Sequence, residues 1–283
     1  MRPLTLLCGF GLCHALFSLG APAPALSQTQ SRSANALTVL AWNIEGAGSD
    51  PATIQKQLKE LEPFDILALS EVPKAAAVEF ASRWGAESHA IGSTGGETPL
   101  IIAWDPAKFD KIALEELKQV NGEEFAPGLQ AAALVAHLRH KPSGQEFKIA
   151  MNHLARGSAE LRKTQAQLLG QWARNQKLPI VAVGGYNFDY DFVKRQGNEA
   201  FDAFLEGSVW KWIKPKEFVD TNWADRNRDG KDDYPDSMLD FVFVAGPARQ
   251  WKISSEVIVR QGDFPDDEKT SDQRPTRTVA HGW

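Results

Sequence analysis

Cysteine is nearly absent from this chain: there are two in 283 residues, Cys8 and Cys13, both near the start. The opening stretch has the character of a secretory leader. Arg2 gives a positive start, Leu4 to Leu19 is apolar, and Ala21 to Ser27 is rich in small residues, with Ala25-Leu26-Ser27 as a small-x-small cleavage site. Cleavage after Ser27 removes both cysteines, which excludes disulfides and thiol chemistry from the mature chain. Neither cysteine follows the small residue that lipid attachment needs. The apolar run is too short, and too broken by Gly9, Gly11 and His14, to span a bilayer. A secreted or periplasmic protein without stable membrane insertion is therefore expected.

An excess of positive charge is missing too. Thirty-six Asp plus Glu stand against 31 Lys plus Arg, for a net charge of −5. Tight duplex binding needs a basic surface that displaces counterions, so strong general nucleic-acid binding is not expected. No Walker loop, dinucleotide fingerprint, cysteine zinc site or Gly-x-Ser-x-Gly nucleophile is present, which removes the chemistries those motifs serve. Nothing Gly/Ser-rich or Pro-rich interrupts the chain after Ser33, and no segment repeats another. Residues 28–36 read as a short extension and 37–283 as one domain, expected to be a monomer.

Short apolar runs fill that domain. Leu37 to Ile44, Asp65 to Leu69, Leu100 to Trp104, Ala131 to Leu138, Phe147 to Met151, Ile180 to Val183, Met238 to Val244 and Trp251 to Val259 read as strands. A helix is expected after Ser49 or Asp50, with Pro51 in its first turn and Ile54, Leu58 and Leu61 on one face. A second is expected from Ser158 to Asn175, with Leu161, Leu168, Leu169 and Trp172 inward and Arg162, Lys163 and Arg174 outward. Strands, hairpins and helices alternate without a strict βαβ rhythm, the mark of a layered α/β sandwich with mixed sheets.

The stretch Ile180 to Asp191, IVAVGGYNFDYD, is expected to run as a buried strand to Gly184-Gly185 and then to turn, with Asn187 and Asp189 at its mouth. Gly, Asn and Asp also make ordinary turns for backbone reasons alone. Other strands end in polar residues as well, Asn43, Glu71 and His153, and they are joined by Asp240 in SMLDFVF and Asp272 in SDQRP. In order, the motifs WNI, SEV, NHL, GGYNFD, SMLDF and SDQRP make the chain resemble the endonuclease/exonuclease/phosphatase superfamily. That group includes pancreatic-type deoxyribonucleases, abasic-site endonucleases, inositol polyphosphate phosphatases and bacterial sphingomyelinases. The resemblance runs from about Leu37 to Trp283 and implies a deoxyribonuclease I-like fold, a four-layer sandwich of two mixed β-sheets flanked by helices.

It also implies metal-assisted hydrolysis of a phosphoester, of a substrate class the sequence does not specify. Glu71 is expected to bind Mg²⁺ or Mn²⁺ with Asn43 beside it, since a hard cation on one or two carboxylates keeps positions open for phosphate oxygens. His153 would act as hydrogen-bond donor or general acid, and Asn187 would donate an amide N–H to a non-bridging oxygen. By the same resemblance Asp240 orients the imidazole of the last motif and Asp272 helps fix its loop. Arg156 and Arg274 are candidate phosphate neighbours.

Two positions depart from the pattern. The family's Gly-Asp-x-Asn is here Gly184-Gly185-Tyr186-Asn187, and its Ser-Asp-His is Ser271-Asp272-Gln273. Glycine has no carboxylate for the attacking water, and glutamine cannot exchange a proton near neutral pH. Asp189 and His281 are poor substitutes by distance along the chain. Strongly impaired hydrolysis follows, or else an inactive phosphoester-binding pseudoenzyme.

A second ion is suggested by Asp225, Asn227, Asp229, Asp233 and Asp236, which with Gly230 fit a calcium loop lacking its usual helix and final Glu. Trp210-Lys211-Trp212-Ile213-Lys214-Pro215-Lys216 interleaves aromatics with bases. Such a pattern can touch single strands or lipid head groups, or can be core tryptophan with solvated lysine.

Overall fold

Hydrophobic alternation along the strands decides the layering. The computed structural model describes residues 36–46, 48–92, 97–121, 132–225, 227–263 and 269–283. The leader and the extension up to Asn35 lie outside the described residues, as does Arg226 in the Asp-rich loop. In chain order the elements are β1 (Ala36–Asn43), α1 (Pro51–Glu60), β2 (Ile66–Ser70), α2 (Ala77–Ala81), β3 (His89–Ile91), β4 (Ile101–Trp104), β5 (Phe109–Glu116), α3 (Lys118–Asn121), β6 (Ala133–His140), β7 (Glu146–His153), α4 (Ala159–Arg174), β8 (Ile180–Tyr190), α5 (Glu199–Leu205), β9 (Lys211–Trp212), β10 (Met238–Ala245), β11 (Lys252–Val257) and β12 (Thr276–His281).

They form two six-stranded sheets, β11-β12-β1-β2-β4-β3 and β5-β6-β7-β8-β10-β9. Each sheet has one parallel pair at its centre, β1 with β2 and β7 with β8, and antiparallel neighbours elsewhere. Leu37, Val39 and Ala41 of β1 join Leu134, Ile149 and Val183 of the other sheet in a core between the sheets. Leu40 and Trp42, one residue out of phase, pack on Ile54 and Leu58 of α1 and Phe80 of α2. On the far side α4 and α5 cover the second sheet through Leu169, Trp172, Phe201 and Phe204. The result is the four-layer α/β/β/α sandwich of two mixed sheets. At ~1.5–3 kcal/mol per fully buried large apolar side chain, these three clusters dominate the stability.

Three elements differ from the sequence reading. The strand opening at Ile180 does not stop at its glycines but runs to Tyr190, because Tyr186, Phe188 and Tyr190 alternate into the aromatic cluster with Phe201, Phe204 and Phe241. The C-terminal tail, to which the sequence assigned no strand, forms β12 after Pro275 and inserts between β1 and β11, with Thr276 paired to Ala41 and His281 to Ala36. In α4 the inward residues are Arg162, Gln165, Ala166, Leu169, Trp172 and Ala173, so Arg162 faces in rather than out. Its Nη1 donates to the carbonyls of Ala155 and Arg156 at 2.8 and 3.0 Å, while its buried Nε has no hydrogen-bond partner. Trp210 and Ile213 are buried, Lys214 lies over Trp212, and Lys216 pairs with Glu256, so that stretch is core with solvated lysines. No helix among the described residues is long and apolar enough to cross a membrane.

Candidate active site

The parallel pairs set the site. Asn43 ends β1 opposite Ser70, the last residue of β2, so Glu71 follows beside it. In the other sheet His153 of β7 is opposite Gly185 of β8, and Gly185 is opposite Asp240 of β10. A Cβ built at Gly185 would lie 3.2 Å from His153 Cδ2 and 3.6 Å from Asp240 Oδ1, so the three residues form a row on one face. Gly184 has φ +119° because the backbone bends there, and a Cβ on it would sit 2.2 Å from the Asn152 carbonyl. Only glycine fits that place.

Glu71, His153, Arg156, Asn187, Asp272 and Gln273 line a common cleft of about 210 Å³. Glu71 has φ 52°, a strained value for a residue with a side chain, and such strain concentrates at functional sites. Its Oε1 accepts from Asn43 Nδ2 at 2.8 Å and lies 3.2 Å from His153 Nε2. Burial opposes ionisation of Glu71, but the hydrogen bonds of His153 and Asn43 and the charges of His153 and Arg156 outweigh it and hold its carboxyl below the usual range. The Asn43 oxygen is held by Glu45 N at 3.0 Å, so Asn43 acts by orienting Glu71.

Asn187, also at positive φ, donates to the Leu154 carbonyl at 2.7 Å and accepts from Arg156 at 3.3 Å. Arg156 reaches Asp189 as well, at 3.4 Å, and lies over the Tyr234 ring. Asp189 is thus an anchor for Arg156. Asp272 is tied in through its backbone, with N donating to Glu45 Oε2 at 2.8 Å, and the loop is fixed further by Ser271 Oγ on the Asn43 carbonyl at 2.7 Å and Trp42 Nε1 on the Gln273 carbonyl at 2.8 Å.

Asp240 is buried, and its Oδ2 has no hydrogen-bond partner. Gln273 makes no hydrogen bond to that oxygen. Burial pushes Asp240 up to about 7, against the pull of the Thr221 hydroxyl and of His153, while Glu71 adds to the rise. Arg274 is not at the cleft wall: it pairs with buried Asp263 at 3.2 Å and donates to the Asp220 carbonyl at 2.9 Å. His281 is at the other end of β12 from Thr276, ~17 Å away at strand rise.

No protein-family model matches the chain, and no curated protein matches it in sequence. Solved structures do match. An endonuclease/exonuclease/phosphatase family protein from Bacteroides thetaiotaomicron superposes with a TM-score of 0.64 at 16% identity, covering 88% of this chain and 98% of that one. D. rerio TDP2 complexed with a single-strand DNA product gives 0.65 at 15%, covering 87% and 99%. The B. thetaiotaomicron mannosyl-6-phosphatase gives 0.61 at 17%, covering 86% and 98%. This is the endonuclease/exonuclease/phosphatase fold.

A divalent cation in this fold has a fitting donor here. Both hydrogen bonds to Glu71 fall on Oε1, so among the described residues its Oε2 is left for a cation, and the carboxyl is held ionised. One carboxylate beside an open cleft suits an ion that keeps most of its water.

Of the calcium ligands expected at Asp225, Asn227, Asp229, Asp233 and Asp236, Asp236 joins a group of three carboxylates within ligand distance of one another among the described residues. Asp225 accepts from the backbone of Asp229 and Gly230, and Asn227 Nδ2 donates to Asp233 at 2.8 Å. The carboxylates that do come together are Asp220, Asp232 and Asp236, within 4.8 Å of one another. Burial pushes Asp220 up to about 6, and the charges of Asp232 and Asp236 add to it. Sequence spacing missed Asp220 because it lies outside the loop repeat. It also missed Tyr234, a cleft residue that no spacing rule marks.

Proposed function

We propose that the chain hydrolyses a phosphoester, a phosphodiester or phosphomonoester, by in-line water attack in this cleft, with Mg²⁺ or Mn²⁺ at Glu71 and at a strongly reduced rate. One observation carries the reading: strand ends from both sheets bring Glu71, His153 and Asn187 to one cleft, with Asp240 behind it in the row of Gly185. A cation there would neutralise charge on the phosphate oxygens. Arg156 and the second N–H of Asn187 would hold non-bridging oxygens, and His153 would donate a hydrogen bond beside them. Gly185 and Gln273 are the reason for the reduced rate. They equally favour a second reading, an inactive protein that binds phosphoesters.

The similar structures differ in what they act on or hold, a mannosyl phosphate in one and a single-strand DNA product in another. The acidic balance of this chain favours a small phosphoester over a polyanion. Secretion after leader cleavage, a monomeric state and Ca²⁺ in the Asp-rich loop belong to the same proposal.

The test is turnover of a chromogenic phosphoester with Mg²⁺ or Mn²⁺ by this chain and by the Gly185→Asp, Gln273→His double variant. A gain of ~10³-fold or more is expected from restoring both groups. Equal turnover by the two would remove the assigned roles of both positions. Ligand-induced thermal stabilisation without turnover by the unaltered chain would favour the binding protein.

A further inference from the structure

A second cavity, of about 330 Å³, adjoins the cleft and shares His153 and Arg156 with it. The turn from β7 into α4 builds its wall. Ser158 caps α4, its Oγ accepting from Leu161 N at 3.2 Å. The carbonyls of Ala155 and Arg156 accept from Arg162 Nη1, and Ala155 N donates to Gln165 Oε1 at 2.8 Å. Arg156 sends its guanidinium to the cleft side, towards Asn187 and Asp189. With these polar groups taken up by one another, the wall shows the cavity mainly carbon. Leu161 adds to it. Helical spacing places this residue inward with Leu169 and Trp172, but it stands outside the cluster those two join and lines the cavity, half-buried.

One polar group in that wall is unmet. Gln165 is 2% exposed, and because its Oε1 accepts from a backbone N–H, the orientation of its amide is fixed. Its Nε2 is then a donor, without a partner among the described residues, on a side chain that lines the cavity. Buried polar groups nearly always have partners, so this one marks where a ligand atom belongs. A mainly apolar cavity with a single placed donor is the usual make-up of a small-molecule site.

We propose that this cavity holds the organic part of the substrate, an apolar aryl or alkyl group carrying an acceptor oxygen for Gln165, while the phosphate lies in the cleft at Glu71, Arg156 and Asn187. The inference rests on the phosphoesterase reading and names its class of ester, the phosphate of an apolar alcohol or phenol. His153 and Arg156 stand where the two parts of such an ester join. A sugar or nucleoside would place several polar groups against carbon with one donor to meet them, which costs their hydration.

Calorimetry in Mn²⁺ at pH 8 with methyl-, benzyl- and 4-acetylbenzylphosphonate, whose P–C bonds do not hydrolyse, tests this on the unaltered chain. The benzyl compound should bind about 10-fold or more tighter than the methyl compound, and the acetyl oxygen should add about 3- to 10-fold. Leu161→Trp, which fills the cavity, should bring the benzyl-to-methyl ratio to within about 2-fold. Gln165→Glu adds no bulk, keeps the acceptor for Ala155 N and loses the donor, so the acetyl gain should vanish. Methylphosphonate binding without a preference for the ring overturns the inference and leaves the phosphoesterase reading standing. So does a ring preference that survives Leu161→Trp, or an acetyl gain that is missing or survives Gln165→Glu. If none of the three phosphonates binds, both fall together.

Discussion

Glu71 carries backbone strain as well as charge. Its φ of 52° costs ~1–3 kcal/mol, and Gly46 packs so close that a Cβ there would lie 2.1 Å from the Glu71 carbonyl. Strain kept at a carboxylate facing a cleft indicates selection for where that carboxylate points. Glu71→Gln should leave the melting temperature in EDTA nearly unchanged and abolish the stabilisation that Mn²⁺ gives the unaltered chain; scanning calorimetry at matched metal concentrations checks this. Asp240 makes a separate prediction about stability. Its folded pKa of about 7 lies above its ordinary value, so the folded state keeps a proton that the unfolded state loses. That contribution is full below about pH 4 and is lost as pH rises towards and through 7, with a size on the order of 4 kcal/mol at most. Urea denaturation in EDTA should therefore show stability falling across that window, with Asp220, raised to about 6, adding to the lower half. Asp240→Asn should flatten the upper half; an unchanged slope would mean that Asp240 ionises normally.

β8 is the element where sequence and structure part most clearly, and the reason is physical. Its outward residues Tyr186, Phe188 and Tyr190 are core, while Gly185 and Asn187 sit on the other side, where the sandwich opens into a cleft instead of a second apolar face. Alternation of apolar with polar and glycine residues looks like a turn when read without the partner strands. Positive φ at Gly184, Asn187 and Asp189 adds to that, since such residues are turn formers. The strand ends Asn43, Glu71 and His153 were legible because polar residues closing apolar runs are conspicuous, and Asp240 because it is a lone acid inside one. Arg162 was not, because a charge at helical spacing reads as solvated until the carbonyls of Ala155 and Arg156 are seen beneath it. Gly184→Ala tests the bend: it should destabilise by about 3 kcal/mol, through positive φ and the clash with Asn152, as read by denaturant midpoint. For the Asp-rich loop, Ca²⁺ should raise the melting temperature, and Asp220→Asn should reduce that rise; a flat calcium titration would remove the ion from the account.

Across the molecule the two sheets repeat one plan: two antiparallel strands, a central parallel pair joined across a helix, then two more antiparallel strands. No sequence repeat announces it, since burial fixes only the apolar class of each position and many side chains satisfy it. The plan matters for function because it points the C-terminal ends of both parallel pairs at one cleft, β1 and β2 delivering Asn43 and Glu71, β7 and β8 delivering His153 and Asn187. The proposed site for metal and phosphate thus draws on halves of the chain far apart in sequence, with Gly185 and Gln273 at the two positions that depart from the motif pattern. Crystals soaked with Mn²⁺ and inorganic phosphate test this most directly. The account predicts anomalous density for Mn²⁺ at ~2.0–2.2 Å from a Glu71 oxygen, with the phosphate on that ion and within hydrogen-bond reach of Asn187 and Arg156. Manganese bound away from Glu71, or phosphate bound outside the cleft, would contradict it.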